Sequence, residues 1–181
     1  PCYDSVKVNT MLSIIKLIQQ LAKSGIECGI NTYKSPLIHQ ARNYLTSVFL
    51  TTEYTHLLFV DSDVEFEPEA VIRMLVAKKN IICTPYRIKA EALTEQIYTV
   101  EFKDPKGKNK AIADPGASHE FYYNFFSFDF KDGYSIGEDI SFCRLAKANG
   151  FKLFANIQSP TVHHGSYAWK GTFVDSMKSI K

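Results

Sequence analysis

Apolar residues recur at helical spacing through Met11, Leu12, Ile14, Ile15, Leu17, Ile18, Leu21 and Ala22, and Gly25 stands where a helix C-terminus favours glycine. Ile26 to Thr32 reads as a short strand. Leu37 to Leu50 reads as a second helix, with Pro36 just ahead of it. The run Thr55 to Val60 is short and nearly all apolar, the pattern of a strand covered on both faces. Glu67-Pro68-Glu69 then opens a helix through Ala77, with acids at the positive end of its dipole, and Asn80 to Thr84 follows as a strand. This order predicts an α/β fold of Rossmann-like type, with a mostly parallel central sheet and helices on both faces. Beyond about Tyr86 the pattern changes. Ile97 to Phe102 and Ala111 to Ala113 flank Asp104-Pro105-Lys106-Gly107, a signal for a small antiparallel hairpin. A helix is expected from Glu138 to Ala148, ended by Asn149-Gly150, and strand pieces at Lys152 to Ala155 and Thr161 to His163.

Length and composition fit one domain spanning 1–181, with a nucleotide-binding half at 1–86 and an acceptor side and tail at 87–181. Hydrophobic residues at 45% and charged residues at 22% describe an ordinary globular chain and exclude a disordered one. The 21 basic and 19 acidic residues are nearly balanced and spread out, so no nucleic-acid partner is expected. No apolar run approaches the length of a membrane span, and the start does not read as a signal peptide. A first residue other than Met is expected of part of a longer protein. The four cysteines lack a C-x-x-C spacing, and free, mostly buried thiols in a reducing, cytoplasmic setting are expected.

The strongest chemical signal is Asp61-Ser62-Asp63, directly after Leu57-Leu58-Phe59-Val60. Open α/β sheets bind ligands at the carboxyl ends of their strands. Two carboxylates one residue apart there offer hard oxygen ligands for Mn²⁺ or Mg²⁺, ions that take further ligands from substrate phosphates and water. A D-x-D alone is common in solvated turns; its place after a buried strand gives it weight. A second signal is Gly137-Glu138-Asp139, whose acids either complement a helix dipole or supply a general base. The third is Val162-His163-His164-Gly165-Ser166-Tyr167-Ala168-Trp169-Lys170, where neutral imidazole is a metal ligand and Lys170 is placed to meet a diphosphate. Lys106, Lys108 and Lys110 read as a solvated turn.

Taken in order, these residues resemble the GT-A class of nucleotide-sugar glycosyltransferases, and most closely its small domain encoded by large algal DNA viruses. The likeness covers nearly the whole chain, and D-x-D followed by a late H-x-G is its most specific part. It implies that Pro1, Tyr3 and Asp4, at the end of a first strand, hold the nucleoside, and that Arg42 and Asn43 lie near base and ribose. It implies that Asp61, Ser62 and Asp63 meet the donor. The metal would be held by Asp63, Asp61 and His163, and the acceptor faced by Glu138 and Asp139. The expected partners are a nucleotide-sugar donor, a UDP-sugar by resemblance, and a glycan acceptor; the setting would be the host cytoplasm for a viral protein. One departure is Asp114-Pro115-Gly116-Ala117-Ser118-His119-Glu120, which has little strand character where the class carries a small-residue strand.

The chemistry so implied is displacement of a nucleoside diphosphate at the anomeric carbon, with Asp139 taking the acceptor's proton if the reaction inverts. Two rival readings remain. A phosphatase of the haloacid-dehalogenase type would use Asp61 as nucleophile, but that class carries its motif on the first strand of its core. A non-catalytic carbohydrate-binding module would use the aromatics, yet has no need of acids at a strand end.

Overall fold

The computed structural model describes residues 1–2, 4–86, 95–100, 123–131 and 133–178. The fold is mixed α/β. In chain order the elements are α1 (Val8–Lys23), α2 (Ile38–Phe49), β1 (Leu57–Leu58), β2 (Val64–Phe66), α3 (Pro68–Val76), β3 (Ile81–Tyr86) and β4 (Glu95–Val100). Then come β5 (Asp129–Lys131), β6 (Tyr134–Ile136), α4 (Glu138–Ala148), β7 (Leu153–Ala155), β8 (Thr161–His164), β9 (Ala168–Gly171) and α5 (Phe173–Lys178). Among the described residues no helix is long and apolar enough to cross a membrane.

The four longer helices stand where the apolar spacing puts them. The chain leaves α1 at Gly25, whose φ of 70° suits a residue without Cβ, and Gly150 does the same after α4 at φ 83°. Pro68 opens α3, where its missing N–H costs nothing, and Glu69 sits in the first turn.

The central sheet has the order β1-β4-β3-β7. Every residue of β3 is buried, because helices cover both faces. Ile82 joins Leu17 and Leu21 of α1 and Val71 and Met74 of α3 on one face. Ile81 and Cys83 join Leu45 of α2 and Phe142 and Ala146 of α4 on the other. The alternation along β3 is the two-residue period of a strand.

Among the described residues the central sheet is not the expected mostly parallel one. Of its strand pairs there, β3 and β7 are parallel; β4 lies between β1 and β3 and is antiparallel to both. β1, β3 and β7 therefore point the same way, as the alternating order implied, but a reversed strand separates the first two. The expected hairpin arm Ile97 to Phe102 overlaps that strand, Glu95–Val100; a strand apolar on both faces, as β3 is, is equally at home beside a parallel or an antiparallel neighbour.

Other expectations shift too. No strand forms over 26–32, and β1 is shorter than Thr55 to Val60. A second sheet, β2-β8-β9, is entirely antiparallel; in it the expected strand piece at Thr161 to His163 pairs with residues 168–171 of the tail as a hairpin. β5 and β6 form a separate hairpin turning at Gly133, φ 82°. Tyr3, the Asp104 to Gly107 turn with Lys106, Lys108 and Lys110, Ala111 to Ala113 and Asp114 to Glu120 lie outside the described residues.

Candidate active site

The chain leaves β1 through Phe59 and Val60 and reaches Asp61-Ser62-Asp63, then enters β2 at once. β2 pairs with β8 so that Val64 faces His163. This register carries the late histidine to the D-x-D turn: the His164 N–H donates to the Asp63 carbonyl at 2.8 Å, and His163 Nε2 lies 3.4 Å from Asp63 Oδ2. Neighbouring side chains of a strand point to opposite faces. His163 is accordingly buried beside Asp63, while His164 turns away and meets Glu65 Oε2 at 2.7 Å.

Asp61 is held from two sides. Arg42 Nη2 donates to Oδ1 at 3.1 Å, and the Tyr86 hydroxyl donates to Oδ2 at 2.6 Å. Arg42 comes from α2 and is only 4% exposed. Its Nη1 donates to Glu138 Oε1 at 2.8 Å, so one guanidinium joins two acids. Burial alone would lower the Arg42 pKa; Asp61 and Glu138 outweigh that and hold it above its ordinary value. Such a cation cannot be removed without stranding buried negative charge. Tyr86 also sets the edge of its ring against His163, centroids 4.8 Å apart, and so touches both an acid of the D-x-D and the histidine.

Asn43 is 1% exposed and fully used inside the protein. Its Nδ2 donates to Asn124 Oδ1 at 2.9 Å and the Phe126 carbonyl at 2.8 Å. Its Oδ1 accepts the N–H groups of Phe125 and Phe126, both at 2.9 Å. An amide has two donor hydrogens and two acceptor positions, so nothing is left over for a base or ribose. Asn43 instead fixes Phe126, which is fully buried, stacked on Phe142 at 4.7 Å and 5.8 Å below the Arg42 guanidinium.

The remaining expected site residues divide. Glu138 is buried against Arg42, whereas the half-buried Asp139 carboxylate accepts the Ile140 N–H at 2.7 Å at the start of α4. The Ser62 carbonyl accepts the Lys7 N–H at 2.8 Å. Pro1 lies within electrostatic reach of Asp61 and Arg42. Asp4 pairs with Lys34 at 2.7 Å on the surface, both well exposed. Lys170 stands opposite Val162 in the β8–β9 register, which puts it on the face of His164; the Asn9 hydrogen bond, then His164 and Lys170, hold the Glu65 pKa below its ordinary value. The residue opposite His163 is Trp169. Lys170 is therefore not brought to the Asp63–His163 side.

Among the described residues no three His, Cys, Asp or Glu side chains converge on one point. Asp63 and His163 do fit as a pair of adjacent ligands: two ligands at about 2.1 Å from one ion, at right angles, stand about 3.0 Å apart. Asp61 departs from the expected set, because both its oxygens already accept strong hydrogen bonds. Two protein ligands with the rest drawn from phosphate and water suit Mg²⁺ and Mn²⁺ chemistry.

Tyr86 escaped the sequence reading. Its signal was the one that exposed Asp61: a polar-tipped residue at the carboxyl end of an apolar strand. Compared with protein-family models, curated proteins and solved structures, the chain matches none of them.

Proposed function

We propose that this protein is a metal-dependent glycosyltransferase of the GT-A class. It would move a hexose or deoxyhexose from a nucleoside diphosphate sugar, UDP-linked by resemblance, to a glycan hydroxyl. The observation that carries this reading is the meeting of Asp63 and His163 at the end of β1, 3.4 Å apart, beside an Asp61 clamped by Arg42 and Tyr86. Asp63 and His163 would hold Mn²⁺ or Mg²⁺, which when bound supplies Lewis-acid stabilisation to the departing diphosphate.

The chain's own groups do the rest. Tyr86 and Arg42 fix the Asp61 carboxylate. Glu138, locked to Arg42, sets the first turn of α4 and so positions Asp139, whose half-buried carboxylate takes the acceptor's proton as the acceptor oxygen attacks in an inverting reaction. Two hydrogen bonds on Asp61 stabilise its negative charge and blunt it as a nucleophile, which weighs against the phosphatase reading.

The test is incubation with Mn²⁺ and a panel of nucleotide sugars, followed by chromatography of the nucleotides. Metal-dependent release of nucleoside diphosphate is expected. Phosphate release from small phosphoesters instead would establish the phosphatase, and sugar binding without turnover the binding module.

A further inference from the structure

His163 has an aromatic neighbour on each side. Tyr86 sets its ring against the imidazole, centroids 4.8 Å apart. Across the β8–β9 ladder the residue paired with it is Trp169. Directly opposed residues carry their Cβ atoms about 4.5–5.5 Å apart on one face of a sheet. Val64, His163 and Trp169 therefore make one row over three strands. Burial falls along that row: Val64 is fully buried, His163 is 7% exposed and Trp169 is half-buried. The row opens to solvent at the indole, next to the imidazole that reaches Asp63.

The indole is held in place. It packs edge to face with Tyr167, just ahead of β9, with ring centroids 4.9 Å apart. Its N–H makes no hydrogen bond among the described residues. A tryptophan N–H is a donor only, and a packed one usually finds a partner. A fixed donor without an acceptor thus stands on the face where Asp63 and His163 meet. Lys170, the cation the sequence offers to a diphosphate, is on the other face near Glu65.

We infer that Trp169, and not Lys170, is the tail residue that meets a metal-held nucleoside diphosphate. Its indole N–H donates to a phosphate oxygen, and its ring covers the open side of the Asp63–His163 pair. The contact rests on the reading of Asp63 and His163 as ion ligands and adds a residue to it. A neutral donor suits the place: a hydrogen bond to an anionic oxygen is charge-assisted. The apolar ring also keeps water from the phosphates, which strengthens every charge interaction beside it. Trp169 binds and shields; it exchanges no proton.

Trp169 is the only tryptophan in the chain, so the protein has a single indole N–H signal in its proton–nitrogen NMR spectrum. Mn²⁺ should broaden that signal in the parent and leave it sharp in Asp63→Ala. UDP with Mg²⁺ should shift it, whereas uridine with Mg²⁺ should not. Trp169→Phe keeps a ring on the strand and removes the N–H. Its affinity for UDP, measured by calorimetry with Mn²⁺, should fall by roughly 10-fold, the scale of one hydrogen bond to a charged group. Lys170→Gln should lose less. Three results would overturn this inference and leave the ion site standing: an indole signal unmoved by UDP that calorimetry shows to be bound, an equal shift with uridine, or a loss in Lys170→Gln as large as in Trp169→Phe. No metal-dependent UDP binding in the parent would overturn both.

Discussion

Arg42 donates a 2.8 Å hydrogen bond to Glu138, a residue 96 positions further along the chain, and so pins α2 to the first turn of α4. Both partners are buried, and the other guanidinium arm reaches Asp61. Replacing Arg42 by Met would leave Glu138 as an unpaired buried acid, and a loss of about 3–5 kcal/mol in unfolding free energy is expected. Adding Glu138→Gln should recover part of it. Urea denaturation of the three proteins checks this; a single variant as stable as the parent would show that the bridge does not form.

Tyr86→Phe removes one hydroxyl and keeps the ring against His163. The fold should survive, while Asp61 loses one of its two fixed contacts. Donor affinity in the presence of Mn²⁺ should fall by roughly 10-fold, the scale of one hydrogen bond to a charged group. Calorimetry reads the change, and unaltered affinity would remove Tyr86 from the site.

Asp139→Asn keeps the shape of the cap on Ile140 but not its basicity. Sugar transfer should drop by at least ~100-fold with donor affinity nearly unchanged. Glu138→Gln should act differently, weakening the fold through Arg42 before it weakens the chemistry. A transfer rate near that of the parent in Asp139→Asn would end its assignment as base.

Cys83 lies in β3, and burial, with Cys143 nearby, pushes its thiol up to about 12. Thiolate is the reactive form, so at pH 8 Cys83 should resist iodoacetamide while the protein is folded, whereas Cys28 is exposed and should be reached. Mass spectrometry of the labelled peptides decides. Labelling of Cys83 as fast as in urea would contradict the burial of β3.

The helices were legible because apolar spacing alone defines a face, and Gly25 and Gly150 mark their ends at positive φ. The D-x-D was legible because it follows a buried strand. Strand partners were not legible: Leu57-Leu58 and Ile81 to Tyr86 are apolar on both faces whichever strand lies alongside, and β4 inserts between them. Residues 26–32 have the composition of a strand, but among the described residues no strand pairs with them, and composition does not supply a partner. The Asn43 tether was hidden because its partners lie some 80 positions away; |i−j| is 83 for the Phe126 carbonyl. H-x-G spacing singles out His163, and strand alternation turns its ring toward Asp63 and that of His164 toward Glu65.

The central claim is that Asp63 and His163 together hold the ion that binds a donor diphosphate. Calorimetric titration of UDP, with and without Mn²⁺, into the parent and into Asp63→Ala, His163→Ala and His164→Ala tests it most directly. Mn²⁺-dependent binding is expected in the parent, with a loss of at least ~10-fold, or about 1.4 kcal/mol, in Asp63→Ala and His163→Ala. His164→Ala, whose ring pairs with Glu65 on the other face, should bind nearly as the parent does. Binding that ignores Mn²⁺, or that survives intact in both Asp63→Ala and His163→Ala, would contradict it.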